Sequence, residues 1–333
     1  MIHKFTSSRS FISILIIILA SLSTSICLAQ VQKIDVHVAW PDNNFHTQGV
    51  HEFAKSVAAK TNNQVQLIVH SGGSLGLKGQ EVLRSVRQGA VPMAEVFMGN
   101  IEGDNPIFGL SSLPLMAKDF DSAKALYSKS KALYQKACEK AGTVFLYATP
   151  WPPSGIFTKK PINTLEDLKG LKIRTYDANS ATFIQALGAK GIALPFSELY
   201  TALSTGLVKG VLTSSVTGVD AKLWEVTKSF LQINYAYPLN MMTMQRAAFD
   251  KLSVDQKYAL MQAATEIESA QWLKVEKEDQ ESLKALAKNN IKINAKVGPK
   301  IQQLMEKTAA AMRNEWLKKI DANERQTLEV ISH

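Results

Sequence analysis

From Lys33 to Trp40 apolar and polar positions alternate, with Ile34, Val36, Val38 and Trp40 on one side. That period of two predicts a strand. "PDNNFHTQ" (41–48) breaks it, and "GVHEFAKSVAAKT" (49–61) switches to the spacing of an amphipathic helix. "QVQLIVHSGGSLG" (64–76) predicts a second strand that ends in a glycine-rich turn. "QEVLRSVRQGA" (80–90) predicts a helix closed by Gly89, and "VPMAEVFMGN" (91–100) a third strand. The order βαβαβ argues for an α/β domain with a mainly parallel sheet.

The same grammar returns later. "TLEDLKG" (164–170) predicts a short helix with Thr164 as N-cap, Asp167 at the capping-box position and Gly170 at its end. "LKIRTY" (171–176) is a strand, "SATFIQALGAKG" (180–191) and "SELYTALSTGLVKG" (197–210) are helices, and "VLTSSV" (211–216) is a strand. From Ser253 to about 289 the composition is helical with no Pro or Gly, and Ser253 with Gln256 makes a capping box. At about 1.5 Å per residue such a helix runs roughly 50 Å, more than one small domain. A last helix is expected at about 298–319. The expected architecture is α/β and two-lobed, with a hinge, a long helix over 253–289 spanning both lobes, and a cleft between them. Lobe I would take 30–150 plus about 235–265, and lobe II 151–234 plus about 275–333. Clefts between domains are the usual place for a small ligand.

The first 29 residues do not belong to this pattern. Lys4 and Arg9 precede the apolar run Phe11 to Leu22 and then "STSICLAQ", the layout of a secretory signal peptide cleaved after Ala29. A lipoprotein reading would acylate Cys27 instead, but the preceding Ile26 is not small. A retained anchor needs about 20 apolar residues, and Ser21, Ser23, Thr24 and Ser25 interrupt the run. Nothing later predicts a membrane span, so the mature chain is expected in the periplasm with no direct membrane insertion. At 46% hydrophobic over 333 residues it can build a sizeable core. Losing the leader lowers the net charge from +9 to +7. The positive charge is spread without a Lys/Arg block, which reads as solubility and anion attraction rather than nucleic-acid binding. Cys138 alone survives cleavage, so no internal disulfide is expected, and it reads as a buried small hydrophobe.

No catalytic set assembles. "GGSLG" (72–76) matches the hydrolase elbow G-x-S-x-G, but that motif needs an acid and then a histidine after the serine. Only His333 follows Ser74, so the stretch reads as a turn. His37, His46, His51 and His70 fall in the first quarter with no metal-ligand spacing. The glycines at 76 and 79 lack the strand–helix setting with a following acid that a dinucleotide needs, and no phosphate loop occurs. No metal or cofactor is expected, and binding is favoured over chemistry.

Arg174 is the candidate for that binding. In "LKIRTY", Leu171, Ile173 and Thr175 share one face and Lys172, Arg174 and Tyr176 the other. The face could simply be solvated, since arginine is mostly exposed. Alternatively Arg174 points into the cleft, where its planar fork could hold a carboxylate through two parallel hydrogen bonds. Trp40 at a strand end and Trp151 in "ATPWPPSG", read as an irregular segment joining the lobes, are core residues or cleft walls. "LTSSVTG" (212–218) and "PLN" (238–240) offer Thr213, Ser214 and Asn240, either as polar loops or as ligand contacts.

The stretches "SGGSLGLKGQEVLRSVRQGAVPMAE", "INTLEDLKGLKIRT", "LGAKGIALPFSELYTALSTGLVKGV" and "LSVDQKYALMQAATE" resemble the solute-binding proteins of tripartite ATP-independent periplasmic (TRAP) transporters, the C4-dicarboxylate-binding (DctP-like) family. The resemblance covers nearly all of the mature chain in the right order. It implies two lobes, a hinge and a spanning helix around an organic acid, no enzymatic activity, and membrane subunits of a TRAP transporter as partner. The same fold could instead present its ligand to a periplasmic sensory receptor. The family's carboxylate clamp maps onto Arg174, and its other ligand positions onto Trp40, Phe97, Asp177, Phe196, Thr213 and Ser214. Three features depart from the family pattern. A second arginine before "KPI" is missing, Lys209 stands where an acid is usual, and Trp40, Phe97 and Asp177 replace amide side chains. These departures point away from sialic acid or a C4-dicarboxylate. They point toward a monocarboxylate with an apolar or aromatic body, such as an aromatic or branched hydroxy or keto acid.

Overall fold

The computed structural model describes residues 31–329, so the expected leader lies outside the described residues. In chain order the strands are β1 (Gln32–His37), β2 (Val65–His70), β3 (Met93–Phe97), β4 (Thr143–Pro150), β5 (Ser154–Thr158) and β6 (Lys172–Thr175). They continue as β7 (Lys190–Ala193), β8 (Gly210–Ser214), β9 (Ser229–Leu231), β10 (Leu239–Gln245) and β11 (Lys292–Asn294). One sheet has the order β2-β1-β3-β10-β4 and the other β11-β9-β5-β8-β6-β7. Each is parallel except for one reversed strand, β10 in the first and β5 in the second. The reversed strands follow from the chain's path. β5 is where it enters the second lobe, and β10 is where it returns to the first.

Alternation along β3 explains how the first sheet is covered on both faces. Met93 joins Val36, Phe53 and Leu260 in one apolar cluster. Ala94 and Val96 join Phe108, Tyr134, Met241 and Cys138 in another. Burial pushes the Cys138 thiol up to about 12, so at neutral pH it is a protonated small hydrophobe. The second lobe is built the same way. Ile156, Ile173, Phe183 and Met305 pack on one side, and Phe157, Phe230, Val211 and Leu286 on the other.

Among the described residues four connections join the lobes. Two run side by side. Trp151 N donates to Pro238 O at 2.9 Å, and Tyr235 N donates to Ser154 O at 2.9 Å. The segment read as irregular around Trp151 is therefore mostly β4 and β5, with only residues 151–153 between them. Alternation was invisible there because β4 is buried at every position. The third connection is the helix Val254–Lys288, 35 residues long. Gln256 N donates to Ser253 Oγ at 3.2 Å and Ser253 N to Gln256 Oε1 at 3.0 Å, the expected capping box. Leu260, Ala263, Ala264 and Ile267 pack in the first lobe, and Leu286 packs in the second.

The chain's end departs from the expected division. The division expected from sequence places residues from about 275 onward in the second lobe. The helix Pro299–Leu317 begins there with Ile301 and Met305. It ends on the first lobe, where Trp316, Ile320 and Leu328 join the cluster around Phe108 and Tyr134. Trp316 Nε1 donates to Pro106 O at 2.8 Å and fixes that crossing. An apolar stripe predicts that a helix face is buried, and it is silent on which lobe buries it.

Candidate functional site

The C-terminal ends of β1, β3, β6 and β8 point toward the interface between the lobes, the usual ligand position in open α/β sheets. A cavity of about 120 Å³ lies there. That is roughly ten times the space one water needs. Trp40, Phe97 and Glu95 wall it from the first lobe, and Arg174, Phe196 and Thr213 from the second. The turn after β2 closes one side. Gly72 and Gly73 line the cavity, Gly72 N donates to Trp40 O at 2.8 Å, and both glycines have positive φ (+63° and +68°) that other residues rarely adopt. Ser74 in this turn is exposed.

Arg174 sits on β6, between β8 and β7, and is only 3% exposed. Its Nε–H donates to Leu194 O at 2.9 Å. Among the described residues no carboxylate forms an ion pair with its guanidinium. Burial pushes its pKa down to about 10, with Tyr176 and Asp177 acting in the opposite direction, so it stays cationic at neutral pH. A buried cation without a counter-ion is costly, on the order of several kcal/mol. An anion entering the cavity would remove that cost.

Aromatic rings make up much of the remaining wall. Trp40 meets Trp151 edge-on with ring centroids 4.7 Å apart, and meets Phe196 across the interface at 5.0 Å. Phe97 and Tyr176 form a second pair across the interface at 5.3 Å. Polar contacts add to the closure. Asn44 Nδ2 donates to Asp220 Oδ2 at 2.5 Å, and Asn179 Nδ2 donates to Glu102 Oε2 at 2.6 Å. The lobes are thus drawn together around the cavity, which keeps its interior at low dielectric and strengthens any charge pair inside.

Of the nine residues singled out from sequence, Arg174, Trp40, Phe97, Trp151, Phe196, Thr213 and Ser214 come together around this one cavity. Asn240 and Asp177 do not line it. Asn240 lies behind the wall, where its Oδ1 accepts from Trp151 Nε1 at 3.0 Å, and so holds the indole in place. Asp177 caps the helix Ala178–Ala186 instead, accepting from Ser180 N at 2.8 Å. A D-x-x-S helix start was readable at 177–180, and it competes with a ligand role for the same carboxylate. Sequence reasoning missed Glu95 and Tyr176. Each is two residues from a residue that was found, on the same strand face: Glu95 from Phe97, Tyr176 from Arg174.

Asp177 gives a pH prediction. Its pKa is raised to about 6 by burial, against the hydrogen bonds donated by the Ser180 N–H and hydroxyl. The folded state therefore holds this proton more tightly than the unfolded chain, whose value is near 3.8. Stability falls as pH climbs from about 4 to about 6, by about 2–3 kcal/mol from this group. Asp220, also raised to about 6 by burial, adds a contribution of the same sign. Asp177→Asn keeps the cap and should flatten, but not remove, the fall in melting temperature over that range. Identical pH profiles for the two proteins would refute the assignment.

Comparison with known proteins agrees with this geometry. Residues 36–319 match the family described as bacterial extracellular solute-binding protein, family 7 (DctP). The 2,3-diketo-L-gulonate-binding periplasmic protein YiaO of Escherichia coli is 28% identical over 270 residues, 80% of this chain and 80% of that one. The crystal structure of DctP7 from Bordetella pertussis, an extracytoplasmic solute receptor binding pyroglutamic acid, superposes with a TM-score of 0.88 at 30% identity, covering 91% of this chain and all 100% of that one. A marine metagenome TRAP solute-binding protein specific for pyroglutamate follows at TM-score 0.87 and 29% identity, covering 91% and 99%. These relatives are receptors of transporters, not enzymes. Among the described residues no helix is long and apolar enough to cross a membrane. The match over 36–319 and the two-lobed architecture together place the chain in the DctP family of TRAP solute-binding proteins.

Proposed function

We propose that this chain, exported by its first 29 residues, captures a small monocarboxylate with an apolar or aromatic body in the periplasm. It hands that solute to the membrane subunits of a TRAP transporter. The observation that carries the reading is Arg174, a buried guanidinium without a carboxylate partner, facing a cavity walled by Trp40, Phe97, Trp151 and Phe196. Two charge-assisted hydrogen bonds from its fork contribute about 3–6 kcal/mol. Burying about 100–200 Å² of apolar ligand surface adds about 2.5–5 kcal/mol. The two together span the roughly 8 kcal/mol that micromolar capture needs.

Pyroglutamate is the first ligand to test. It has one carboxylate on a compact ring, and two receptors near 30% identity bind it. Melting of the mature protein against a panel of small organic acids tests the reading. A binding acid at a hundredfold excess over its Kd stabilises by about 2.7 kcal/mol. If no carboxylate raises the melting temperature, and mass spectrometry of the denatured protein releases none, the reading fails.

A further inference from the structure

The carboxylate of Glu95 is unusual for a cavity meant to hold an anion. Glu95 is 4% exposed and lines the cavity from β3, on the lobe opposite Arg174. Its Oε1 is held by His46 Nδ1 at 2.7 Å. His46 in turn is stacked on Trp151, with ring centroids 4.0 Å apart. The other oxygen, Oε2, is buried with no hydrogen-bond partner. A buried carboxylate oxygen left without a donor is costly, and native folds rarely tolerate one without a purpose. The His46 bond and the Trp151 stack restrain the side chain, so Oε2 cannot simply turn away.

We propose that Glu95 is a specificity-determining residue of this site. Its Oε2 accepts a hydrogen bond from an N–H or O–H of the ligand whose carboxylate Arg174 holds. The inference rests on the proposed capture of a carboxylate and deepens it. The ligand bridges the lobes, with its anionic end on β6 and its donor end on β3. A second carboxylate on the ligand would meet Glu95 and be repelled, which selects monocarboxylates. A plain acid with no donor would leave Oε2 as unsatisfied as it is now. The selected class is therefore a small monocarboxylate with a donor on its body, such as a lactam or hydroxy acid.

The test is a matched pair titrated calorimetrically into the mature protein. L-Pyroglutamate carries a lactam N–H. 5-Oxotetrahydrofuran-2-carboxylate has the same shape, with a ring oxygen in place of that N–H. The lactam should bind about ten- to a hundredfold more tightly. In Glu95→Gln the new amide can donate to the ring oxygen, so the ratio should fall toward one or invert. A wild-type ratio near one overturns the inference, and so does a ratio unchanged in the folded Glu95→Gln protein. If the variant does not fold, the wild-type ratio decides. If neither ring acid binds, lactate against 2-methoxypropionate makes the same comparison. Benzoate or cyclopentanecarboxylate binding as tightly as the donor acids overturns the role of Glu95 and leaves the Arg174 reading standing. Failure of every acid to bind overturns the Arg174 reading, and this inference with it.

Discussion

Arg174→Ala should raise the Kd for any carboxylate ligand by about two to four orders of magnitude. The figure follows from losing two charge-assisted hydrogen bonds, about 1.5–3 kcal/mol each, in a site that excludes water. Arg174→Lys should fall between, because an ammonium keeps the charge and loses the fork. The unliganded protein should behave differently. Its melting temperature should change little in Arg174→Met, since removing a buried unpaired cation offsets the lost bond to Leu194 O. Calorimetric titration with a ligand found by melting, together with melting of the unliganded variants, checks both halves. Retention of affinity within threefold in Arg174→Ala would remove the clamp. A collapse of unliganded stability in Arg174→Met would make Arg174 a structural residue instead.

The largest effect on stability should come from Glu268, which does not line the cavity. β4 is an edge strand of its sheet, so alternate N–H groups point away from β10. One of these, Ala148 N, donates to Glu268 Oε1 on the long helix at 3.1 Å. The same carboxylate accepts from the buried Tyr127 Oη and from Lys131 Nζ, the latter at 2.5 Å. Tyr127 stacks on Trp272 of the same helix, with centroids 5.2 Å apart. Glu268 thus ties the long helix to an edge strand and to the helix Phe120–Lys140. Glu268→Ala leaves a buried N–H and a buried hydroxyl without an acceptor, at about 1–3 kcal/mol each. The half-exposed lysine adds little. We expect a loss of about 3–5 kcal/mol, a large part of the 5–15 typical of a folded protein. Glu268→Gln keeps an acceptor for both groups and should lose about half as much. Equal melting temperatures for the two variants would refute the account.

Glu268 also shows where the sequence alone falls silent. It reads as one of many acids on a charged helix, and no local pattern separates it from Glu266, which is exposed and pairs with Lys60. Its role depends on an edge strand more than a hundred residues away. The same holds for His46 and Glu95, which are 49 positions apart and meet only when helix Phe45–Lys60 packs on β3.

Other features were local and therefore legible. The alternation around Ile34 and Ile173, the capping box at Ser253, the turn glycines and the uninterrupted run to Lys288 rest on contacts within a few residues. They were enough to predict α/β lobes with a bridging helix. Periodicity also placed Arg174 and Tyr176 on one strand face, but a face has no address in the folded protein. Whether Arg174 met water or a cavity depended on β8 and β7 flanking β6 and on the other lobe closing over it. Burial, which sets the cost of leaving its charge unpaired, is a sum over distant segments. The sequence determined the elements, the lobes and the residue types available to hold an acid. Only the tertiary structure decided which of those side chains face one cavity, because convergence is a long-range property and periodicity a short-range one.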